Sequence, residues 1–178
     1  MANTSTKAKT KASAEEEVKE ETSAKEGPIV AKDIDPEQYV TVRNGFQGKL
    51  VYKSRHTGEK FVWDRYGAEQ DMQLRELKNA KSSAKRFFSD NWFMFDENWV
   101  IDYLGVRQYY KHAIDVDHFD DIFSLPANEL KATIGRLSAG QKKSVKYRAL
   151  ELIANGDIDS RKTIAALEDA LGVELIEK

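Results

Sequence analysis

Cysteine is absent from all 178 residues, which excludes a disulfide scaffold, a thiol nucleophile and any Cys-based zinc or iron–sulfur centre. Histidine is scarce, and three imidazoles leave little for a metal enzyme. No apolar run approaches the roughly 20 residues with which a helix crosses a bilayer. The start, MANTSTKAKTKASAEEEVKEE, has lysines but no hydrophobic stretch behind them, so it does not read as a secretory signal. The expectation is a soluble protein that is intracellular or assembled there. G-x-S-x-G, the Walker-type lysine loop and the dinucleotide glycine pattern are all missing. Gly45 and Gly48 in NGFQG lie between strand-like runs with no helix start behind them, and read as turn glycines.

What is present is enough for one ordinary domain or two small ones: 40% apolar residues beside 33% charged ones. A net charge of −2 argues against a chain whose main task is coating nucleic acid. Composition divides the chain in three. Residues 1–32 hold no aromatic residue and almost no large aliphatic one. Such a stretch cannot bury enough surface to offset about 1–2 kcal/mol of backbone entropy per residue. Residues 1–38 are therefore expected to be a flexible or extended charged arm and hinge, in which Lys7, Lys9 and Lys11 alternate with Ala and Thr before the acidic block Glu15, Glu16, Glu17, Glu20 and Glu21. Two readings follow, a solubilising tail and an arm that orders against a partner.

Seventeen of the eighteen aromatic residues fall between Tyr39 and Phe123. Each buried ring removes on the order of 150–250 Å² from water, so residues 39–123 are expected to form an aromatic-rich α+β domain. Tyr39-Val40-Thr41-Val42 reads as a strand, and Lys49–Lys53 and Lys60–Asp64 as a β-hairpin around a polar turn. These three strands are expected to pack on one long helix over residues 68–88. Asn91–Phe95 reads as a buried connection or short strand, and Trp99–Leu104, Val106–His112 and Phe119–Phe123 as short helical turns.

Residues 124–178 change style to three amphipathic helices, a small bundle. Pro126 suits the first turn of one helix. Ser138 and Gln141 form the S-x-x-Q capping-box pattern of the second, which stops at Asn155-Gly156. Asp159 or Ser160 caps the third, which Gly172 closes.

Charge alternates along the chain. Residues 1–38 carry −3, 39–88 +6, 89–125 −6, 126–163 +4 and 164–178 −3. Blocks of this kind arise when neighbouring elements pair inside one fold, and equally when surfaces dock on one another. Under the second reading the partner-binding candidates are Lys7, Lys9 and Lys11 of the arm and Arg75, Lys78 and Lys81 of the long helix; under the bland reading the helix lysines form a solvated face. Lys142, Lys143, Lys146 and Arg148 give the second bundle helix a face for phosphate contact, while base reading has no support. The acidic stretch DVDHFDD fails as a calcium loop, because Phe119, Asp120 and Pro126 stand where an oxygen ligand, a glycine and a carboxylate are needed. No catalytic residue, cofactor or metal ligand is expected.

Three stretches, YVTVRNGFQGKLVYKSRHTGEKFVWDRYGAEQDM, FFSDNWFMFD and VIDYLGVRQYYK, resemble small proteins encoded among the structural genes of tailed bacteriophages of Gram-positive hosts. The resemblance implies a non-enzymatic virion or assembly protein, with other virion proteins or copies of itself as partners. It also implies a place in the virion after assembly in the host cytoplasm. The alternative is a nucleic-acid-binding regulator or packaging accessory that uses the C-terminal helices.

Overall fold

The computed structural model describes residues 34–176. Its strands are Tyr39–Asn44 (β1), Leu50–Lys53 (β2), Lys60–Trp63 (β3), Glu69–Gln73 (β4) and Phe93–Met94 (β5). Its helices are Leu74–Ser83 (α1), Arg86–Ser89 (α2), Asn98–Leu104 (α3), Arg107–Tyr110 (α4), Ala127–Arg136 (α5), Ala139–Asn155 (α6) and Arg161–Leu171 (α7), with a 3-10 turn at Phe119–Ser124. The class is α+β. Alternation builds β1: Val40 and Val42 face the core while Tyr39 and Thr41 face out. It forms the centre of a three-stranded antiparallel sheet, β4-β1-β5. It pairs with β4 from Tyr39↔Gln73 to Arg43↔Glu69, and with β5 at Arg43↔Met94 and Asn44↔Phe93.

Two expectations change here. The hairpin β2–β3 does not join β1; it is a separate two-stranded sheet in the register Leu50↔Trp63 to Lys53↔Lys60. The reason lies in Asn44, which is fully buried. Its amide donates to the Gly48 and Arg65 carbonyls at 2.8 Å each, tying the two feet of the hairpin together. Its backbone N–H meets the Ala68 carbonyl and its carbonyl meets the Gly67 N–H, which returns the chain to β1 as β4.

The long helix over 68–88 is also replaced. Residues 69–73 are a strand, and the remainder is two helices separated at Ala84, whose φ of −142° leaves the helical region. EQDMQ tolerates a helix, but β1 offers it five residue pairs and a core position for Met72, and tertiary pairing overrides local preference. The break at Ala84 lets Phe88 enter the core from its own turn.

The first apolar cluster gathers the inward faces of both sheets, α1 and α3, and includes Trp63, Leu77, Phe88 and Val100. At its centre the Phe93 ring lies 5.6 Å from Tyr52, 5.3 Å from Trp63, 4.8 Å from Phe87 and 5.5 Å from Phe88, centroid to centroid. The second cluster lies between α5, α6, α7 and the 3-10 turn, around Phe119, Ile134, Val145 and Leu167. These three helices are the C-terminal bundle. Ser138 Oγ accepts the Gln141 N–H at 3.1 Å, and Gly156 and Gly172 close α6 and α7 in the left-handed region. Ser160 caps α7 by accepting from the Thr163 N–H.

Helix α6 also joins the two clusters. The Gln141 side chain does not return to Ser138 to complete the capping box. It is buried and pairs with both backbone groups of Ile114, accepting from its N–H at 3.1 Å and donating to its carbonyl at 2.9 Å. One turn on, the Ser144 hydroxyl accepts from the Gln47 N–H at 3.2 Å and donates to the Gly45 carbonyl at 3.1 Å. Two glycines permit the approach. A Cβ on Gly140 would lie 2.0 Å from the Asp90 carbonyl oxygen, and one on Gly45 would lie 2.1 Å from that of Asn91. Gly45 is thus required by close packing rather than by its turn.

Candidate functional site

The positive and negative blocks meet at two arginines. Arg43 leaves β1 with a side chain only 12% exposed and forks onto Asp117 at 2.6 and 2.8 Å, with Asp96 at 3.1 Å and Glu69 at 3.6 Å. Arg148 leaves α6, grips Asp120 at 2.6 Å through Nη2 and reaches Glu151 at 2.7 Å through Nη1. The rest of DVDHFDD is engaged locally, Asp115 by the Asp117 N–H and Asp121 by His118. No group of three or more potential ligands among the described residues could hold a metal ion.

These pairs move ionisable groups away from neutrality. Hydrogen bonds from Arg43 hold the Asp117 carboxyl below its ordinary range, and those from Arg107 do the same to Asp102. Hydrogen bonding to Asp117 and to Asp120 raises Arg43 and Arg148. Burial pushes the hydroxyls of Tyr52, Tyr66 and Tyr110 upward. A hydrogen bond from Lys85 lowers the Tyr109 hydroxyl, in the opposite sense to the other three tyrosines. A general acid or base works best when it is poised near the operating pH. Because the Asp117 value falls on folding, its contribution to stability is complete above the unfolded carboxylate value and disappears as pH drops through the folded one. The stability difference between wild type and Asp117→Asn should therefore be constant at neutral pH, begin to shrink near about pH 4 and go on shrinking below it, read by denaturant titration at each pH.

Two clefts accompany the networks. One, of about 460 Å³, lies between the two halves with Tyr66, Val116 and Phe119 in its wall and Asp117, Asp120 and Arg148 at its rim. The other, of about 550 Å³, has Met94, Phe95, Ile101 and Tyr110 as its floor and Arg107 and Lys111 at its edge. Arg107 forks onto Asp102, and the Tyr110 hydroxyl donates to the Phe93 carbonyl at 2.7 Å.

Of the residues singled out in the sequence, Lys7, Lys9 and Lys11 lie outside the described residues. Arg75 pairs with Glu37 at 2.9 Å. Lys78 sits 4.2 Å from the centroid of the Tyr103 ring, and Lys81 donates to the Leu104 carbonyl at 2.6 Å. The basic face of α1 thus clamps α3, with Lys81 at the carbonyl end of that helix, where a cation is favoured. Lys142 reaches the Gly135 carbonyl at 3.3 Å. Arg148 is committed to Asp120 and Glu151, whereas Lys143 and Lys146 have no partner among the described residues.

Sequence reasoning missed a different surface. On the outward face of the hairpin, Lys53 stands directly opposite Lys60, and Val51 directly opposite Val62. The bond from Ser54 N–H to the Glu59 carbonyl fixes the phase of the ladder, which makes Lys53/Lys60 a non-hydrogen-bonded pair, the type that brings side chains closest. The mirror order L-V-Y-K and K-F-V-W around the turn was the signal in the sequence. No family model matches the sequence, and neither a curated protein nor a solved structure matches the chain.

Proposed function

We propose that this chain is a non-enzymatic structural or assembly protein of a tailed bacteriophage particle, acting through protein–protein contacts of its folded surfaces and of residues 1–32. The observation that carries the reading is where the charges are spent. Arg43 and Arg148, the arginines at the junction, are committed to internal pairs with Asp117 and Asp120. Among the cations without a partner in the described residues, four stand beside exposed apolar side chains, Lys53 and Lys60 with Val51, and Lys143 and Lys146 with Tyr147. An apolar centre with a charged margin suits recognition of another protein surface. The resemblance to phage structural proteins supplies the particle, the virion location after assembly in the host cytoplasm, and the partners: other virion proteins or further copies of this chain.

The protein should band with intact particles in a density gradient, and recovery solely from the soluble lysate would defeat the reading. Removing residues 1–32 should leave the thermal transition of the remaining chain in place while lowering its incorporation severalfold. Lys143 and Lys146 are what remains of the nucleic-acid alternative. A duplex-DNA mobility shift that weakens steeply with salt and is lost in Lys143→Gln/Lys146→Gln would favour that alternative instead.

A further inference from the structure

The β2–β3 ribbon presents a feature that nothing in the fold requires. Lys53 and Lys60 are exposed, directly opposed and without a hydrogen-bond or ion-pair partner among the described residues. Like charges directly across a strand pair repel and destabilise it. Along α1, by contrast, neighbouring cations are each drawn to a carboxylate, a carbonyl or a ring, as Arg75, Lys78 and Lys81 are. On the ribbon the repulsion stands unrelieved. Arg55, exposed in the turn, adds a third cation; the backbone of that turn is fixed where the Ser54 hydroxyl accepts from the N–H groups of His56 and Thr57. Beside the lysines lies an apolar pair: Val51 is 41% exposed and faces Val62. The surface is therefore a short strip, cationic at the turn end and aliphatic toward its base.

We infer that this strip is the seat of the chain's own acidic segment, residues 15–21, whose sequence EEEVKEE sets Val18 among five glutamates. The charges are complementary, and one aliphatic side chain among carboxylates matches a valine pair beside two lysines. A phosphate backbone would satisfy the lysines but leave Val51 and Val62 uncovered, which is why a peptide is the better occupant. Reach is ample. From Ile34, the first described residue, thirteen extended residues back to Glu21 span about 43–47 Å. A domain of this size has a radius of gyration of roughly 15 Å. A segment tethered this closely meets the ribbon at an effective concentration of about millimolar, so weak charge pairing suffices within one chain. The inference goes beyond the assembly reading and does not depend on it, because the contact exists in the free protein.

The test uses the isotope-labelled full-length chain and its variant Glu15→Gln/Glu16→Gln/Glu17→Gln/Glu20→Gln/Glu21→Gln. The expected result is a shift between the two proteins in the amide resonances of Val51, Lys53, Lys60 and Val62. That difference should be unchanged by tenfold dilution and should shrink severalfold between about 50 and about 500 mM salt, where the screening length falls to a few ångströms. Lys53→Gln/Lys60→Gln, which alters only exposed side chains, should perturb the amides of residues 15–21 reciprocally. Superimposable spectra at low salt would overturn the inference, and so would a difference that appears only on concentration. Duplex DNA perturbing the ribbon amides equally in both proteins would also overturn it, because an arm seated there has to be displaced.

Discussion

Phe93→Ala is expected to destabilise the protein by about 3–5 kcal/mol, the usual cost of emptying an aromatic site in a closed core. Phe93 has no exposed surface, and its ring is the common neighbour of Tyr52, Trp63, Phe87 and Phe88. It also belongs to β5, the two-residue strand that closes one side of the central sheet. The alanine therefore removes the contact that holds hairpin, sheet and α2 in one cluster, while the surrounding rings are too rigid to collapse into the space. At about 2–4 °C per kcal/mol for a domain of this size, the melting temperature should fall by on the order of 10 °C. Phe93→Leu, which keeps much of the volume, should lose less than half as much. Equal losses from both variants would mean that aromatic geometry, not filled volume, holds the cluster.

The second large effect has a sign opposite to helix propensity. Gly140 lies in the first turn of α6, where alanine is intrinsically favoured by about 1 kcal/mol. A Cβ there would lie 2.0 Å from the Asp90 carbonyl oxygen and 2.6 Å from Asp90 Cβ, inside any permissible contact. Backbone cannot yield as a side-chain tip does. Gly140→Ala should therefore cost a net 2–3 kcal/mol or so, by forcing α6 off the 88–92 turn. Gly135, late in α5, has nothing within 4 Å of its added methyl. Gly135→Ala should stabilise by about 0.5–1 kcal/mol. Chemical denaturation of the pair gives an internal contrast, and two changes of the same sign would remove the close approach as the reason for Gly140.

The legible parts of this fold are those written in local chemistry. The strand pattern of Tyr39–Val42, the hairpin turn, the caps at Ser138 and Ser160 and the stops at Gly156 and Gly172 all follow from adjacent residues. Misread parts depended on distant partners. Residues 69–73 have helix-tolerant composition and become a strand because β1 lies alongside. Gln141 resembles half of a capping box, yet it spends its amide on Ile114, 27 residues away in the chain. Gly45 resembles an ordinary turn glycine, but the Asn91 backbone makes the side chain impermissible.

The candidate surfaces divide in the same way. Alternating charge blocks were visible, and the structure resolves much of that alternation as internal pairing through Arg43 and Arg148. No local feature marked which cations would be consumed. Arg148 stands three turns into α6 among other basic residues and differs from them only in facing Asp120. The lysines on the hairpin became conspicuous only once the register set them opposite one another.

The way α6 is fastened bears on mechanics. Its first turns are bonded to the loops at Gly45, Gln47 and Ile114, and its later turns lie in the bundle core. A tug delivered at the loop that leads into the hairpin therefore reaches α6 directly, through the Ser144 bonds to Gly45 and Gln47. On the proposed reading, with neighbours on both sides, these bonds would carry a load from the sheet side of the chain to its bundle.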